Sequence, residues 1–256
     1  MLKQWIYKLF HKSVPLYCPV CNAHPDKFLP LPEYYLTMWK THHFPYIEDC
    51  EMTPLETYFC PNCGASDRER LYALWIKQQI ETKQFQQGTK LIHFAPESVL
   101  ANWLKNLNLF DYNSADLMMD NVDYQIDITA MSFENEQFDF FICSHILEHV
   151  DSDDKALSEL YRILKKQGSG ILMVPIAISL KKTLEDTTLT DIAKRWQLFG
   201  QDDHVRLYAH DDYIQKLKQH GFYVEQLGQD YFGISLFQSL GLKPTSILYI
   251  VRRYEH

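Results

Sequence analysis

The spacing of apolar positions divides the chain into two kinds of sequence. Residues 1 to about 65 carry no long periodic segment and are interrupted by eight prolines from Pro15 to Pro61, so regular structure alone does not bury them. Within this stretch, Trp5, Ile6, Leu9 and Phe10 predict a short amphipathic helix packed on the body. Ser66 and Glu69 then fit a capping box. Leu71, Leu74 and Trp75 follow on one stripe, with Tyr72, Ile76 and Ile80 on the adjacent row, which predicts a helix ending before a polar link at 84–88.

From Lys90 the pattern alternates between strands and helices. Strands are expected at 91–94, 112–117, 124–128, 138–143, 170–175, 222–227 and 247–251. The fourth, FDFFIC, is nearly all apolar, as a strand covered on both faces requires. Leu100, Trp103, Leu104 and Leu107 line one face of a helix over 97–107. A further helix is capped by Asp151 or Ser152, buries Leu157, Leu160, Tyr161 and Leu164, and stops at Gly168. Asp211 caps another, which stops at Gly221. Seven strands alternating with helices predict an α/β fold, a doubly wound Rossmann-like sheet over 86–256, preceded by a small module and its connecting helix over 1–85.

Cysteine spacing changes the picture of the first module. Cys18-Pro19-Val20-Cys21 and Cys60-Pro61-Asn62-Cys63 are two copies of CPxC, separated by 38 residues. A tetrahedral zinc takes four thiolates from two such turns, so Cys18, Cys21, Cys60 and Cys63 are the expected ligands of a structural Zn2+ in a zinc ribbon holding a long insertion. Cys50, His24, His42 and His43 are left out of that set. The absence of an export signal and of a long apolar run makes the cytoplasm the expected compartment. A formal net charge of -8 argues against a nucleic-acid partner.

No GxGxxG follows the first strand; the turn reads Ala95-Pro96-Glu97. A dinucleotide pyrophosphate needs close backbone approach, whereas S-adenosylmethionine carries no phosphate, so this turn disfavours NAD. Asp116 ends the second strand, where a carboxylate can accept from both hydroxyls of a ribose. Asp127 ends the third, where it can accept from an adenine amino group with Ile128 against the ring.

Residues 138–175, FDFFICSHILEHVDSDDKALSELYRILKKQGSGILMVP, resemble the fourth-to-fifth-strand region of class I S-adenosylmethionine-dependent methyltransferases. The shared features are FD, an apolar strand, LEH (Leu147, Glu148, His149), and a turn like RxLKPGG over 162–168, here with Lys166 for the proline and Gln167 for the first glycine. LIHFAPE at 91–97 is similar to a bacterial subgroup that joins this domain to a zinc ribbon. The resemblance implies a cofactor site of Phe94, Ala95, Glu97, Asp116, Leu117, Asp127, Ile128, Ser144 and His145.

Two constellations remain. His145-Ile146-Leu147-Glu148-His149 fits the inverted zinc-protease motif HxxEH, but it follows a buried strand directly, which disfavours a long metal-binding helix. Gly200-Gln201-Asp202-Asp203-His204-Val205-Arg206-Leu207-Tyr208 holds the densest polar grouping and is similar to FGQxDHVRxY stretches of the subgroup. Here His204 is the candidate base, oriented by Asp203, with Arg206 holding an anionic acceptor and His145 as second candidate base. A salt-bridged hairpin over the cofactor weighs equally. The expected activity is methylation of an O or N atom of a small molecule or, by resemblance, a glycan-related acceptor. The alternatives are an RNA methyltransferase and a non-catalytic adaptor.

Overall fold

The computed structural model describes residues 14–253. The helix expected around Trp5 to Phe10 lies outside them. In chain order the elements are α1 (Glu33–Thr41), α2 (Asp67–Glu81), β1 (Thr89–Phe94), α3 (Ser98–Asn106), β2 (Phe110–Asp116), β3 (Tyr124–Gln125), β4 (Phe138–Ser144), α4 (Asp153–Ile163), β5 (Leu164–Met173), β6 (Leu184–Glu185), α5 (Ile192–Phe199), β7 (Arg206–Leu207), α6 (His210–Gln219), β8 (Tyr223–Leu227), α7 (Gln229–Phe232), α8 (Ile234–Ser239) and β9 (Leu248–Arg252). No helix among the described residues is long and apolar enough to cross a membrane.

Seven strands form one sheet in the order β3-β2-β1-β4-β5-β9-β8, parallel except for β9, which runs antiparallel to both of its neighbours. The strand order reverses between β1 and β4, so the crevice beyond their carboxyl ends is where a ligand is expected. The apolar run of β4 is explained by its place there: helices cover both faces, and Phe140, Phe141, Ile142 and Cys143 are fully buried. Gly170 opposite it leaves room for the Phe141 ring, which a Cβ would meet at 2.3 Å.

The capping box forms as expected: Ser66 Oγ accepts from Glu69 N, and Glu69 Oε2 accepts from Ser66 N. Elsewhere the boundaries differ for identifiable reasons. The third strand keeps only two residues, because Asp127 turns the chain by accepting from Thr129 N and Oγ1. The helix expected to stop at Gly168 ends at Ile163, and the RxLKPGG-like turn is the start of β5, with Lys165 Nζ 2.8 Å from Asp139 on β4. Ala209, not Asp211, precedes α6; Asp211 sits in its first turn, where a carboxylate suits the helix dipole.

The long gap between the cysteine pairs is folded. Its helix α1 packs on α5, and Leu31, Trp39 and Phe44 share a small core with Ala177, Trp196, Phe199 and Leu207 from the segment after β5. Trp39 Nε1 donates to Gly200 O at 2.8 Å, tying the two together. The buried Arg70 of α2 locks the first module to the sheet domain. Its guanidinium donates to Thr57 O, Tyr58 O, Ala65 O and Leu240 O, and lies 3.9 Å over the Phe28 ring.

Glu51 makes a second tie. Tyr249 Oη donates to its carboxylate at 2.7 Å, and Glu51 N donates to Ile176 O. Burial pushes the carboxyl up to about 7, although Tyr249, His210 and Lys243 oppose the rise. The folded state therefore favours the neutral acid. The resulting stability is complete below the ordinary carboxylate range and is lost as pH rises through about 7. Full ionisation costs roughly 3 kcal/mol at about 1.4 kcal/mol per pKa unit. The melting temperature should thus fall from about pH 4.5 to about pH 7 and level off above it, and Glu51→Gln should flatten that dependence. A wild-type melting curve unchanged over this interval would contradict the assignment.

Candidate functional site

The four CPxC cysteines converge. Cys18 Sγ lies 3.7 Å from Cys63 Sγ, and Cys21 Sγ 3.9 Å from Cys60 Sγ. These separations are far too long for disulfides. They match the edge of about 3.8 Å that a tetrahedron of ~2.3 Å zinc–sulfur bonds requires. Each knuckle closes on backbone hydrogen bonds, Cys18 N to Ala23 O and Cys60 N to Ala65 O. Burial pushes the Cys18 thiol up to about 12, with the neighbouring sulfurs adding to the rise, so thiolates packed this closely call for a cation. The residues therefore fit zinc. Cys50 lies apart, its Sγ donating to Tyr46 O, and His42 stacks on Trp196.

At the carboxyl ends of β1 and β4 the chain turns through Ala95 and His145, at φ 45° and 56°. Left-handed conformations are costly for these residue types, and here they occur on adjacent strands at the switch point. Phe94 pairs with Cys143 across the two strands, so Ala95 and Glu97 follow β1 next to the end of β4, where Ser144 and His145 stand. Tyr72 and Ser144 hydroxyls are hydrogen-bonded at 2.9 Å. Burial alone would raise the Glu97 carboxyl, but His93, whose Nε2 is 3.1 Å away, and Arg68 bring it down to about 2. Arg68 Nε stands 3.4 Å from Glu97 Oε1, and both atoms are buried without a hydrogen bond. Arg68, in the first turn of α2, was not anticipated from the sequence.

Asp116 ends β2 as expected. Its Oδ1 accepts from Met118 N and Met119 N, leaving the second oxygen open beside the exposed Leu117. Asp127 and the buried Ile128 follow β3, not at its end but in the turn described above.

A pocket of about 290 Å³ opens beside this cleft. One wall carries His145, Glu148, His149 and His204, and the other carries Tyr35, Trp39 and Tyr58 of the insertion, with Arg68 also in the lining. The insertion thus supplies seven of the seventeen lining residues. Glu148 is fully buried; its Oε1 is 3.0 Å from His145 Nδ1, and its Oε2 has no partner. His204 is 2% exposed. A carbonyl can only accept, so the 3.2 Å contact with Phe199 O assigns the proton to His204 Nδ1 and leaves Nε2 as a lone pair. That Nε2 is unpartnered, 4.0 Å from Glu148 Oε1. Burial pushes His204 down to about 4, partly offset by Glu148. Burial would raise Glu148, but chiefly His145, hydrogen-bonded to its Oε1, brings it down to about 2.

Two expected pairings differ. Asp203 Oδ2 is 3.2 Å from His149 Nδ1, so Asp203 orients His149 rather than His204. Arg206 is fully buried and faces away from the pocket. Its donors go to Leu147 O, Val150 O, Asp151 O and Glu185, so it braces the loop after β4 instead of meeting an acceptor. The segment around it is the expected hairpin in part, β7 pairing with β6. HILEH runs through turns, so His145 and His149 are not a helical pair of zinc-protease type.

The sheet, with its strand order and single antiparallel strand, is the Rossmann-like methyltransferase fold. Residues 95–172 match a family profile described as a methyltransferase domain, a span running from the turn after β1 to the end of β5. No curated protein matches the chain. Among solved structures, YcgJ of Bacillus subtilis is similar at 12% identity and a TM-score of 0.44, over 70% of this chain and 98% of its own. Phosphoethanolamine N-methyltransferase 2 of Haemonchus contortus, in complex with phosphomonomethylethanolamine and S-adenosylhomocysteine, is similar at 15% and 0.44, over 71% and 53%. The CurJ carbon methyltransferase is similar at 15% and 0.47, over 73% and 54%; the chain spans about half the length of these last two.

Proposed function

We propose that the chain is an S-adenosylmethionine-dependent methyltransferase acting on an O or N atom of a small-molecule or glycan-related acceptor. The observation that carries this reading is the methyltransferase-domain match over 95–172, which spans the strand ends where the cleft and the pocket meet. The cofactor supplies an electrophilic methyl group. Asp116 would accept from its ribose, and Asp127 and Ile128 would meet its adenine. Arg68 Nε and Glu97 Oε1, an ion pair at 3.4 Å whose atoms make no hydrogen bond, suit its charged amino-acid end, opposite charges answering carboxylate and ammonium. Ser144 and His145 close the cleft toward the pocket.

The pocket volume suits a small acceptor. Its aromatic wall offers a flat apolar face to a ring and limits water. Glu148 Oε2 and His204 Nε2, both buried and unpartnered, are the atoms placed to take the acceptor's proton. Calorimetry tests the reading: the protein should bind S-adenosylmethionine, and Asp116→Ala should weaken binding about tenfold or more, since a lost charged acceptor is worth about 1.5–3 kcal/mol. Absence of wild-type binding would remove the reading. Binding unchanged by the substitution would remove only the role given to Asp116.

A further inference from the structure

Glu148 and His204 are used above as proton acceptors, but their arrangement with the neighbouring His149 asks for more than a proton. One potential ligand atom from each lies within 4.8 Å of the other two. Two of the three residues are buried, and two buried acceptor atoms, Glu148 Oε2 and His204 Nε2, have no donor. A carboxylate and an imidazole lone pair facing each other at 4.0 Å repel unless a cation lies between them.

We propose that Glu148, His149 and His204 hold a divalent transition-metal ion in the wall of the pocket, separate from the four-cysteine centre. Two imidazoles and one carboxylate form a ligand set suited to zinc or ferrous iron that leaves positions open for an oxygen ligand. Each ligand has a partner that orients it. His204 Nδ1 donates to Phe199 O, which turns Nε2 inward as the ligand atom. Asp203 holds His149 Nδ1, leaving Nε2 for the ion. His145 is bonded to Glu148 Oε1. Such carboxylate and carbonyl partners set tautomer and ring orientation at metal-binding histidines. With bonds of about 2.0–2.2 Å, neighbouring ligand atoms stand roughly 3.0–3.5 Å apart. His204 Nε2 and the Glu148 carboxylate, whose Oε1 stands 4.0 Å away, therefore close on the ion, a shift within side-chain reach.

The open positions face the pocket, so the ligand is an oxygen-bearing acceptor, a hydroxyl or carboxylate. This part rests on reading the pocket as the acceptor site. His204 then acts as a ligand, and the ion lowers the proton affinity of the bound oxygen.

Cobalt(II) titration of the full chain, with its cysteine centre already filled by zinc, tests the site. One further equivalent should bind and give visible d–d absorption without the near-ultraviolet band of cobalt–thiolate bonds. Asp203 is exposed and reaches the ion only through His149, so Asp203→Asn should fold normally and weaken cobalt binding about 10-fold or more. His149→Ala should weaken it further. No uptake of cobalt beyond the cysteine centre overturns the proposal, and so does uptake that both substitutions leave unchanged. S-adenosylmethionine calorimetry on the same samples separates the two readings: cofactor binding without a second cobalt site ends the metal proposal alone, and a cobalt site without cofactor binding ends the methyltransferase reading alone.

Discussion

Cys60→Ser is expected to release the zinc and unfold the cysteine module, with loss of the pocket wall and of activity. Cys60 is 1% exposed and shares a small core with Cys18, Val20, Phe28 and Ala65. That core is too small to fold without a staple, and apparent zinc binding in comparable peptides is worth about 10–16 kcal/mol. The sheet should survive, because Leu71, Tyr72, Trp75 and Ile76 of α2 belong to its large core, not to the cysteine cluster. The damage should still pass beyond the knuckles. Arg70 would lose its carbonyl partners Thr57, Tyr58 and Ala65, and Tyr58 and Tyr35 would leave the pocket with the insertion. The expected result is zinc content falling from one equivalent at the cysteines to none, with far-ultraviolet circular dichroism largely retained and turnover abolished. Fresh, reduced wild-type protein lacking zinc would refute the premise. A variant that keeps its zinc would refute the ligand assignment.

Legibility followed the range of the interactions concerned. The capping box at Ser66, the apolar β4 and the CPxC pairs are local patterns, and the helix, the central strand and the sulfur cluster all formed where they indicated. Short-range competition blurred the rest. Asp127 and Asp116 both make turn hydrogen bonds, which cut β3 to two residues while leaving Asp116 at a strand end. The helix before β5 ended early because Leu164 pairs with Phe138 of β4 and Gln167 and Gly168 bond to Arg253 just past β9, which no window of sequence contains. The pocket was least legible. The DHVR run drew attention to His204, which lines the pocket, but adjacency in sequence paired it with Asp203. Folding turns Asp203 to His149 and buries Arg206 under the loop it braces. Arg68 meets Glu97 some 30 residues on, and the wall from Tyr35 to Tyr58 depends on a contact with α5 and its cap across some 160 residues, of which Trp39 to Gly200 is the clearest instance.

His204→Asn is the second substitution with a large expected effect. An asparagine amide can replace Nδ1 as donor to Phe199 O, so the buried position keeps its one hydrogen bond and the fold is retained. What the change removes is Nε2, the unpartnered atom opposite Glu148. If that atom takes part in proton removal, directly or by holding the proposed ion, turnover should fall about 10²–10⁴-fold. S-adenosylmethionine affinity should stay within about twofold, because the residues assigned to the cofactor lie in the first turn of α2, at the ends of β1, β2 and β4 and after β3, not in the segment around β7. The two routes part on one measurement. Loss of the second cobalt site together with turnover identifies His204 as a ligand, while loss of turnover with cobalt binding intact identifies it as the base. A fall in cofactor affinity and melting temperature that matches the fall in turnover would reduce His204 to a brace of the hairpin. Unchanged turnover would remove it from the chemistry altogether.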